Sequence, residues 1–511
     1  MKKTNTIYKI FIIILVLIAT PSCEDVLVNE DPNGTVIEEL APEVILPGAQ
    51  TIPAGELMTR MNELGNTMIA TWSGNTQQIQ APYFDEFQYQ LSTDFYSNIW
   101  DNLMARTGNL TQIINNEIPR NYDYYKGVSK IYRAFFFQYL VDLYGDIPFS
   151  EIHQRGDNLF PKYDNQEEIY ISLINQINEA IDQINNTNTA TVVQLGSNDV
   201  VMNGDIDKWI RFGNTLKLRL LLRMHDYALA NPNENDVLAF VNSEFSLLNN
   251  SSTAFLGTGD DVTINPGYAD QVGRMNPFAA TFGYAAGEFG NDASATFSNR
   301  RAGPTTFLVE YLDGTTTGVV DSRLERLYAV RGSQTTIQGN TQGGNGQPSR
   351  IGPGLLSAPE QDGYIITASE SLFLQSEAVH KSLLTSGDAK VLFQSAITAS
   401  FDRLGASMGT YLTQSDNVDK IGWVGTPNKL EAIITQKWLD LGGTNGIETW
   451  IEYTRTGFPS NMPLPEIATR PNRPNRLLYP TSEYTGNSQN VNAFGQTVDS
   501  AFNTKIFWDV N

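Results

Sequence analysis

The residues that could carry catalysis are few and widely separated. His153, His225 and His380 are the only histidines, and they show no His-Glu-x-x-His or His/Cys spacing of a zinc site. The chain has a single cysteine, Cys23, and lacks both a Gly-x-Ser-x-Gly elbow and a phosphate-binding loop. These features predict that the protein is not an enzyme.

Two pairs of carboxylates are adjacent in sequence, Asp85-Glu86 and Asp260-Asp261. Glycosidase chemistry needs two carboxyl groups facing one bond, roughly 5–10 Å apart, which adjacency in sequence does not establish. We interpret both pairs as solvated loop acids, because acidic side chains are rarely buried. The oxygens of Asp260-Asp261 are hard enough ligands for Ca²⁺, but no calcium site follows from them, and we predict no cofactor.

The segment that begins at Trp72 has the composition of a binding surface for sugar rings. Trp72 is followed by small and amide residues, among them Asn75, rather than by a helical stripe, and Tyr83 comes shortly after. An aromatic face buries the apolar C–H face of a sugar, while amide and charged side chains satisfy its hydroxyl groups. The alternative for Trp72 is packing between helices.

A second candidate lies in the middle of the chain. Tyr284, Phe289 and Asn291 are flanked by glycines, and Arg350 closes a Gly-rich stretch, 339–346. We predict that these four residues bind the same ligand as the Trp72 segment. The alternative for Tyr284 and Phe289 is a local loop core.

The N-terminus has the layout of an export signal. Three lysines precede an apolar run (10–19), and Ser22 stands directly before Cys23. Ten residues rise only about 15 Å as a helix, so the run is too short to span a membrane. We predict a signal peptide over 1–22 and lipidation of Cys23. The alternative is an ordinary secreted protein with one free thiol.

Composition excludes several classes of partner. The 511 residues carry a formal charge of −22, which argues against nucleic acid and against electrostatic binding to an anionic membrane surface. One cysteine allows no disulfide framework, so a large core must stabilise the fold.

Helical periodicity dominates the clear patterns. Apolar stripes with i, i+3, i+4 spacing run through 128–143, 169–184, 209–224, 369–384, 389–401 and 430–441. A short Gly-containing turn joins 369–384 to 389–401 and suits a helix pair. Trp209, Trp438 and Trp450 are predicted to be core residues, Arg219 a buried ion-pair partner, and Trp423 stays open between core and surface.

Two regions lack such periodicity. Residues 253–363 are rich in Gly, Thr, Asn and Pro, and residues 455–511 contain many prolines. Loops this long are usually functional or disordered. We predict one domain over 23–511, mostly α-helical, with 253–363 as an irregular insertion and 455–511 as a loop-rich C-terminal part.

Six short motifs follow one another in a familiar order. They are Asn29-Glu30-Asp31-Pro32-Asn33; Tyr144-Gly145-Asp146-Ile147-Pro148 after Tyr132-Arg133-Ala134-Phe135; Lys208-Trp209 with Asn214-Thr215-Leu216-Lys217-Leu218-Arg219; Asp321-Ser322-Arg323-Leu324; Gln436-Lys437-Trp438 with Glu448-Thr449-Trp450; and Arg476-Leu477-Leu478-Tyr479-Pro480. Together they cover essentially the whole chain. In these motifs the chain resembles the SusD/RagB family of outer-membrane nutrient-binding lipoproteins of the Bacteroidota, most closely its SusD-like branch.

The resemblance implies a fold, a partner and a location. The fold would consist of tetratricopeptide-like helix pairs with an irregular ligand-binding region. The partner would be a SusC-like TonB-dependent transporter, over which the lipoprotein acts as a lid on the outside of the outer membrane. Glu24-Asp25 is similar to the acidic export tag of surface lipoproteins, with a solvated linker as the alternative.

Four functions remain at this stage. The leading one is capture of oligosaccharides and delivery to the transporter; the runner-up is the same role with an oligopeptide, which would rely on backbone hydrogen bonds. A surface hydrolase and a purely structural lid are the other two.

Overall fold

The computed structural model describes residues 40–511 apart from 77–82, 155–157, 234 and 251–254. The signal peptide (1–22), Cys23 and the motif at 29–33 lie outside the described residues. The division into a signal peptide and one domain over 23–511 therefore stays a prediction.

Helices account for most of the regular structure, which confirms the predicted class. Their bounds are α1 Pro42–Glu56, α2 Asn62–Met68, α3 Phe84–Gln88, α4 Ser97–Arg106, α5 Gly108–Ile114, α6 Asp123–Tyr144, α7 Gln166–Asn186, α8 Ile206–Ala230, α9 Asn235–Asn250, α10 Pro277–Phe282, α11 Phe297–Arg301, α12 Thr306–Leu312, α13 Leu324–Leu327, α14 Ala368–His380, α15 Ala389–Leu404, α16 Tyr411–Ser415, α17 Lys429–Leu441, α18 Gly446–Thr456, α19 Thr481–Gly486, α20 Ser488–Val491 and α21 Ser500–Asn503. A π-helical turn, Leu57–Met61, joins α1 to α2.

The strands are short and form antiparallel two-stranded ribbons, β1 with β5, β2 with β3, β4 with β8 and β6 with β7. Their bounds are β1 Trp72–Ser73, β2 Ile147–Pro148, β3 Tyr163–Asp164, β4 Val262–Ile264, β5 Gly303–Pro304, β6 Tyr328–Ala329, β7 Arg350–Ile351 and β8 Gly363–Ile366.

Consecutive long helices pack in pairs, α6 with α7, α8 with α9, α14 with α15 and α17 with α18. The sequence sets their ends: α6 stops at Gly145, whose φ of +77° favours glycine, and the Asp388 carboxylate caps α15 by accepting from the Val391 N–H. The predicted stripe at 369–384 ends earlier, at His380. No described helix is both long and apolar enough to cross a membrane.

The helix pairs enclose an ionic network with almost no exposure to solvent. Arg219 on α8 pairs with Glu370 on α14 and, at 3.6 Å, with Glu448 on α18. Arg223, one turn further, lies 2.6 Å from Asp142 and 2.7 Å from Glu448. The predicted role of Arg219 as a buried ion-pair partner is confirmed.

The network continues along α17 and α18. Lys437 lies 3.0 Å from Glu448, and Arg455 lies 2.7 Å from Glu452 and 2.8 Å from Glu377. Burial alone would raise the pKa of Glu452. The charges of Arg455, Lys437 and Arg223 instead hold that pKa well below its usual value. The pKa values of Glu448 and Glu377 are lowered in the same way, so these three carboxylates are charged and need their cations. At Glu370 and Asp142 burial outweighs the neighbouring cations and raises the pKa.

Helices α2 and α18 cross with their backbones in contact, although they are far apart in sequence. A Cβ on Gly65 would lie 2.0 Å from the carbonyl carbon of Gly446, so the crossing needs glycine. The Asn62 amide donates to the Gly443 carbonyl at 2.8 Å and accepts from the Gly446 N–H at 2.8 Å, and Asn66 accepts from the Gly443 N–H at 2.9 Å. We call this contact the glycine crossing.

The region 253–363 contains only short elements among its described residues, the longest being α12 with seven residues. The same holds for the part of 455–511 that follows α18. Trp209, Trp438 and Trp450 are buried, as predicted. Trp423 is partly buried and packs on Phe393.

Candidate functional site

The structure brings three of the predicted ligand residues of the insertion into contact. Tyr284 and Phe289 meet edge to face with their ring centroids 5.4 Å apart. The Arg350 Nη1 donates to the Tyr284 hydroxyl at 3.1 Å and also pairs with Asp292. We call Tyr284, Phe289, Asp292 and Arg350 the insertion surface.

Local hydrogen bonds explain this arrangement. Tyr284 forms a β-bridge with Ala295, which closes the intervening residues into a loop. Inside the loop, the Asn291 side chain accepts from the Ala293 N–H at 3.1 Å and donates to Glu288 at 2.7 Å. Asn291 therefore shapes the loop that carries Phe289, and its predicted contact with ligand stays a prediction.

The insertion surface offers both an aromatic edge and fixed polar groups. Phe289 is 37% exposed, whereas Tyr284 is buried beneath it. Burial raises the pKa of the Tyr284 phenol, and the cation of Arg350 opposes that shift. The Asp292 side chain is 59% exposed, so its carboxylate keeps acceptor capacity beyond the bond to Arg350.

Trp72 lies elsewhere, fully buried in β1. Its ring packs edge to face on Phe282 at 5.1 Å, and its carbonyl accepts from the Gln342 amide at 2.8 Å. No face of the indole reaches solvent, which favours the packing alternative over the predicted contact with sugar. The cause is the pairing of β1 with β5, which places the insertion over the ring.

Asn75 connects the Trp72 segment to the Gly-rich stretch 339–346. Its side-chain amide donates to the Asn345 carbonyl at 2.8 Å. That stretch leads directly to β7 and Arg350, so Asn75 supports the chain that carries the insertion surface. A direct contact of Asn75 with ligand stays a prediction.

Tyr83 is also buried and lines a separate cleft of about 370 Å³. The Arg301 guanidinium lies 5.3 Å from the centroid of its ring. Across the cleft, the Tyr96 hydroxyl donates to Glu86 at 2.9 Å, and burial raises the pKa of Glu86 to about 7. The placement of Tyr83 does not join it to the insertion surface.

Tyr83 and Tyr96 share a second feature, a left-handed backbone with φ of +58° and +52°. Residues with side chains seldom adopt this conformation, and where they do the surrounding structure must hold them there. Such strain is concentrated at sites with a function.

Phe297 is an exposed aromatic that the sequence analysis did not select. It begins α11, is 52% exposed, and carries the Arg301 guanidinium 4.6 Å above its ring. Thr296 and Ser298 flank it and Asn299 follows. The signal used for Trp72, an aromatic residue among small and amide residues, would have found it.

The two acidic pairs are not simply solvated, which corrects the sequence interpretation. Asp261 is half-buried and accepts from the Ala368 N–H at 2.7 Å, at the start of α14, while Asp260 pairs with Arg211 at 3.3 Å. Asp85 is exposed, but Glu86 is half-buried. Among the described residues no three acidic, histidine or cysteine side chains cluster as a metal site.

Paired helices that carry an irregular, loop-rich region define the fold class of this protein. Residues 50–480 match the SusD-like family, described as starch-binding proteins that associate with the outer membrane. The chain belongs to this family, whose members are binding proteins and not enzymes.

Solved structures agree with the family assignment. A chitin-binding protein aligns with a TM-score of 0.70 at 23% identity, over 92% of this chain and 100% of its own. A chitin-binding SusD homologue from Flavobacterium johnsoniae aligns with a TM-score of 0.71 at 20% identity, over 93% and 99%. A SusD-like protein from Bacteroidetes gives 0.72 at 20% identity, over 92% and 100%.

Among curated proteins, no sequence matches this chain significantly. The solved structures establish the shared fold, and the family associates with the outer membrane. The oligopeptide alternative finds no support in these comparisons.

Proposed function

We propose that the protein binds oligosaccharides on the insertion surface, outside the outer membrane. One observation carries the proposal: an exposed aromatic ring, Phe289, stands beside the half-exposed Arg350–Asp292 pair. The ring would cover the apolar face of one sugar unit, and the pair would bind neighbouring hydroxyls as donor and acceptor. The starch-binding description of the family and two chitin-binding neighbours support a glycan as ligand.

The proposed mechanism is capture without chemistry. Tyr284 holds Phe289 from below and accepts a hydrogen bond from Arg350, so the polar and aromatic groups keep a fixed spacing before ligand arrives. Fixed groups lose little freedom on binding, which improves affinity. Phe297, the exposed aromatic on α11, provides a second stacking position in the same insertion.

Calorimetric titration with chitin- and starch-derived oligosaccharides tests this site. Phe289→Ala should weaken binding at least tenfold, which corresponds to a loss of about 1.4 kcal/mol. Phe160→Ala is the matched control, because Phe160 is 50% exposed but lies outside the insertion. Equal affinity of Phe289→Ala and wild type would contradict the site.

We also propose that Cys23 carries the lipid anchor and that a SusC-like TonB-dependent transporter receives the captured glycan. The export-signal layout before Cys23 and the association of the family with the outer membrane support this role. Cys23→Ala should release the protein from membranes during fractionation while leaving oligosaccharide affinity unchanged. Loss of affinity in that variant would contradict a separation of anchor from site.

A further inference from the structure

A cavity of about 450 Å³ opens among the helix pairs, away from the insertion. It lies between α5, α6 and α7 and the segment that follows β2. Its lining residues are Thr111, Ile114, Asn115, Arg133, Phe149, Ser150, Ile152, His153, Gln154 and Gln176. The volume falls within the range of roughly 300–1,000 Å³ typical of small-molecule sites. No aspartate or glutamate is among these described lining residues.

Arg133 forms the base of this cavity and is 8% exposed. Its Nε donates to the Thr111 hydroxyl at 3.1 Å, and its Nη1 donates to the side-chain amide oxygen of Gln176 at 3.0 Å. The guanidinium lies between two aromatic rings, 4.2 Å from the Phe137 centroid and 4.8 Å from that of Phe149. Nε and Nη1 are thus engaged, Nη2 donates to no described residue, and Arg133 lines the cavity.

This arginine differs from the other buried cations of the described chain. Six of them pair with carboxylates, and two donate to backbone carbonyls. The paired ones are Lys217, Arg219, Arg223, Arg323, Lys437 and Arg455, and the other two are Arg473 and Arg476. Among the described residues Arg133, like Arg473 and Arg476, donates only to neutral groups, but of these three it alone lines this cavity. A buried charge without a counter-ion is costly.

A hydrogen-bonded chain fixes the guanidinium in place. The His153 Nε2 lies 2.7 Å from the Met104 carbonyl and must therefore donate, which leaves Nδ1 to accept from the Thr111 hydroxyl at 2.9 Å. Burial lowers the pKa of His153 to about 4, so the imidazole is neutral at physiological pH. Among the lining residues that the structure describes, Arg133 is therefore the one charged group.

We propose that this cavity binds the carboxylate of an acidic sugar, a uronate, with Arg133 as its counter-ion. A carboxylate accepts from the N–H groups at the edge of a guanidinium in a charge-assisted bond, and the Nη2 of Arg133 is available for one, which supplies the missing compensation. The exposed amides of Asn115 and Gln154, which make no side-chain hydrogen bond to described residues, are placed at the rim to bind hydroxyls. A sugar as the carrier of the carboxylate rests on the proposed function; the carboxylate itself rests on Arg133.

Titration with three small probes tests the chemistry. Glucuronate and glucose differ by one carboxylate, and the dipeptide Ala-Ala carries a carboxylate without a sugar. We expect glucuronate to bind at least tenfold more tightly than either of the others. Equal binding of glucose, tighter binding of the dipeptide, or no glucuronate binding at millimolar concentration would each overturn the proposal.

Two variants locate the site. Arg133→Met should abolish glucuronate binding while keeping the apolar stem against the rings. Asn115→Asp, which changes only an exposed residue, should weaken binding about fivefold by placing a negative charge at the rim. Asn503→Asp makes the same change at an exposed position on α21 and should leave affinity unchanged. Unaltered glucuronate affinity in Asn115→Asp would overturn the placement even if Arg133→Met does not fold.

Phe289→Ala separates this inference from the proposed function. It should weaken binding of neutral oligosaccharides and leave glucuronate affinity unchanged. A protein that binds glucuronate but no neutral oligosaccharide would overturn the proposed function alone. The reverse result would overturn the uronate site alone.

Discussion

The ionic network between α8, α14 and α18 and the insertion surface use the same ion-pair chemistry in opposite surroundings. Arg223 is buried with Asp142 and Glu448, whereas Arg350 and Asp292 stand at the solvent boundary. A buried charge that loses its partner cannot be solvated, but an exposed one can. Charges inside the helix pairs therefore maintain the fold, and those on the insertion remain available to a ligand.

The strongest test of that contrast removes one cation from the network. Arg223→Met leaves Asp142 and Glu448 buried without their partner and should cost about 4 kcal/mol of unfolding free energy. Urea denaturation at pH 7.5 measures it. The loss should shrink toward pH 5, because a carboxylate without its cation binds a proton more readily. Arg350→Met removes a partly buried cation whose partner, Asp292, is exposed, and should change stability by less than about 1 kcal/mol.

The next test compares Trp72, which the structure places in the core, with Phe289, which lies on the insertion surface. Trp72→Ala should destabilise the protein by about 3 kcal/mol, because it creates a cavity next to Phe282 in the core. Phe289→Ala should change stability by less than about 0.5 kcal/mol, because its ring is partly solvated. Thermal unfolding of both variants checks this. A Trp72 variant as stable as wild type would mean that the ring is not packed as the structure shows.

A pH titration of stability tests the cleft of Tyr83. Folding raises the pKa of Glu86 to about 7, so the folded protein binds this proton more tightly than the unfolded chain. Glu86 costs no stability at a pH below its pKa in the unfolded chain. Between about pH 4.5 and 7 it lowers the free energy of unfolding by an amount that grows with pH. Glu86→Gln should therefore stabilise the protein at pH 8 by roughly 1–2 kcal/mol and have little effect at pH 4.5.

The exposed neighbour provides the control for that experiment. Asp85→Asn should leave the unfolding free energy within about 0.5 kcal/mol at either pH. A Glu86→Gln effect of equal size at pH 8 and pH 4.5 would exclude the titration as its cause.

The last test concerns the ion pair of the insertion surface, where a small effect on stability should accompany an effect on binding. Asp292→Asn removes an exposed ion pair and should cost less than about 1 kcal/mol. It should nevertheless weaken oligosaccharide binding severalfold, because the amide loses one acceptor oxygen and releases Arg350. Parallel denaturation and calorimetry measure both quantities. A large loss of stability with intact affinity would mean that this ion pair maintains the fold and does not bind the ligand.

Periodicity predicted the helix pairs because a helix that buries one face has apolar residues at positions i, i+3 and i+4. The stripes at 169–184, 209–224 and 430–441 lie inside α7, α8 and α17. Arg219 is a charged residue in the region of the apolar stripe 209–224, and the sequence also predicted it as an ion-pair partner. Its carboxylates were not, because they come from helices far away in sequence.

The insertion shows what spacing does not reveal. Tyr284 and Arg350 were selected by residue type, but their hydrogen bond spans 66 positions and depends on the loop that Asn291 shapes. Trp72 was selected by the same rule and is buried, because β5 covers it. Small neighbours in sequence therefore allow an aromatic side chain to be exposed, but they do not require it. Arg133 belongs to a helical stripe region, and neither its neutral partners nor its place in a cavity could be read from spacing.

The glycine crossing has a consequence for folding kinetics. Its two helices are separated by most of the chain, so the contact between Gly65 and Gly446 closes a very long loop. Contacts of that sequence separation form late, since the entropy of loop closure is lost before any packing is gained. Helix α2 therefore lacks its contact with α18 until α18 has been synthesised. This contact would close only when both ends of the chain are present.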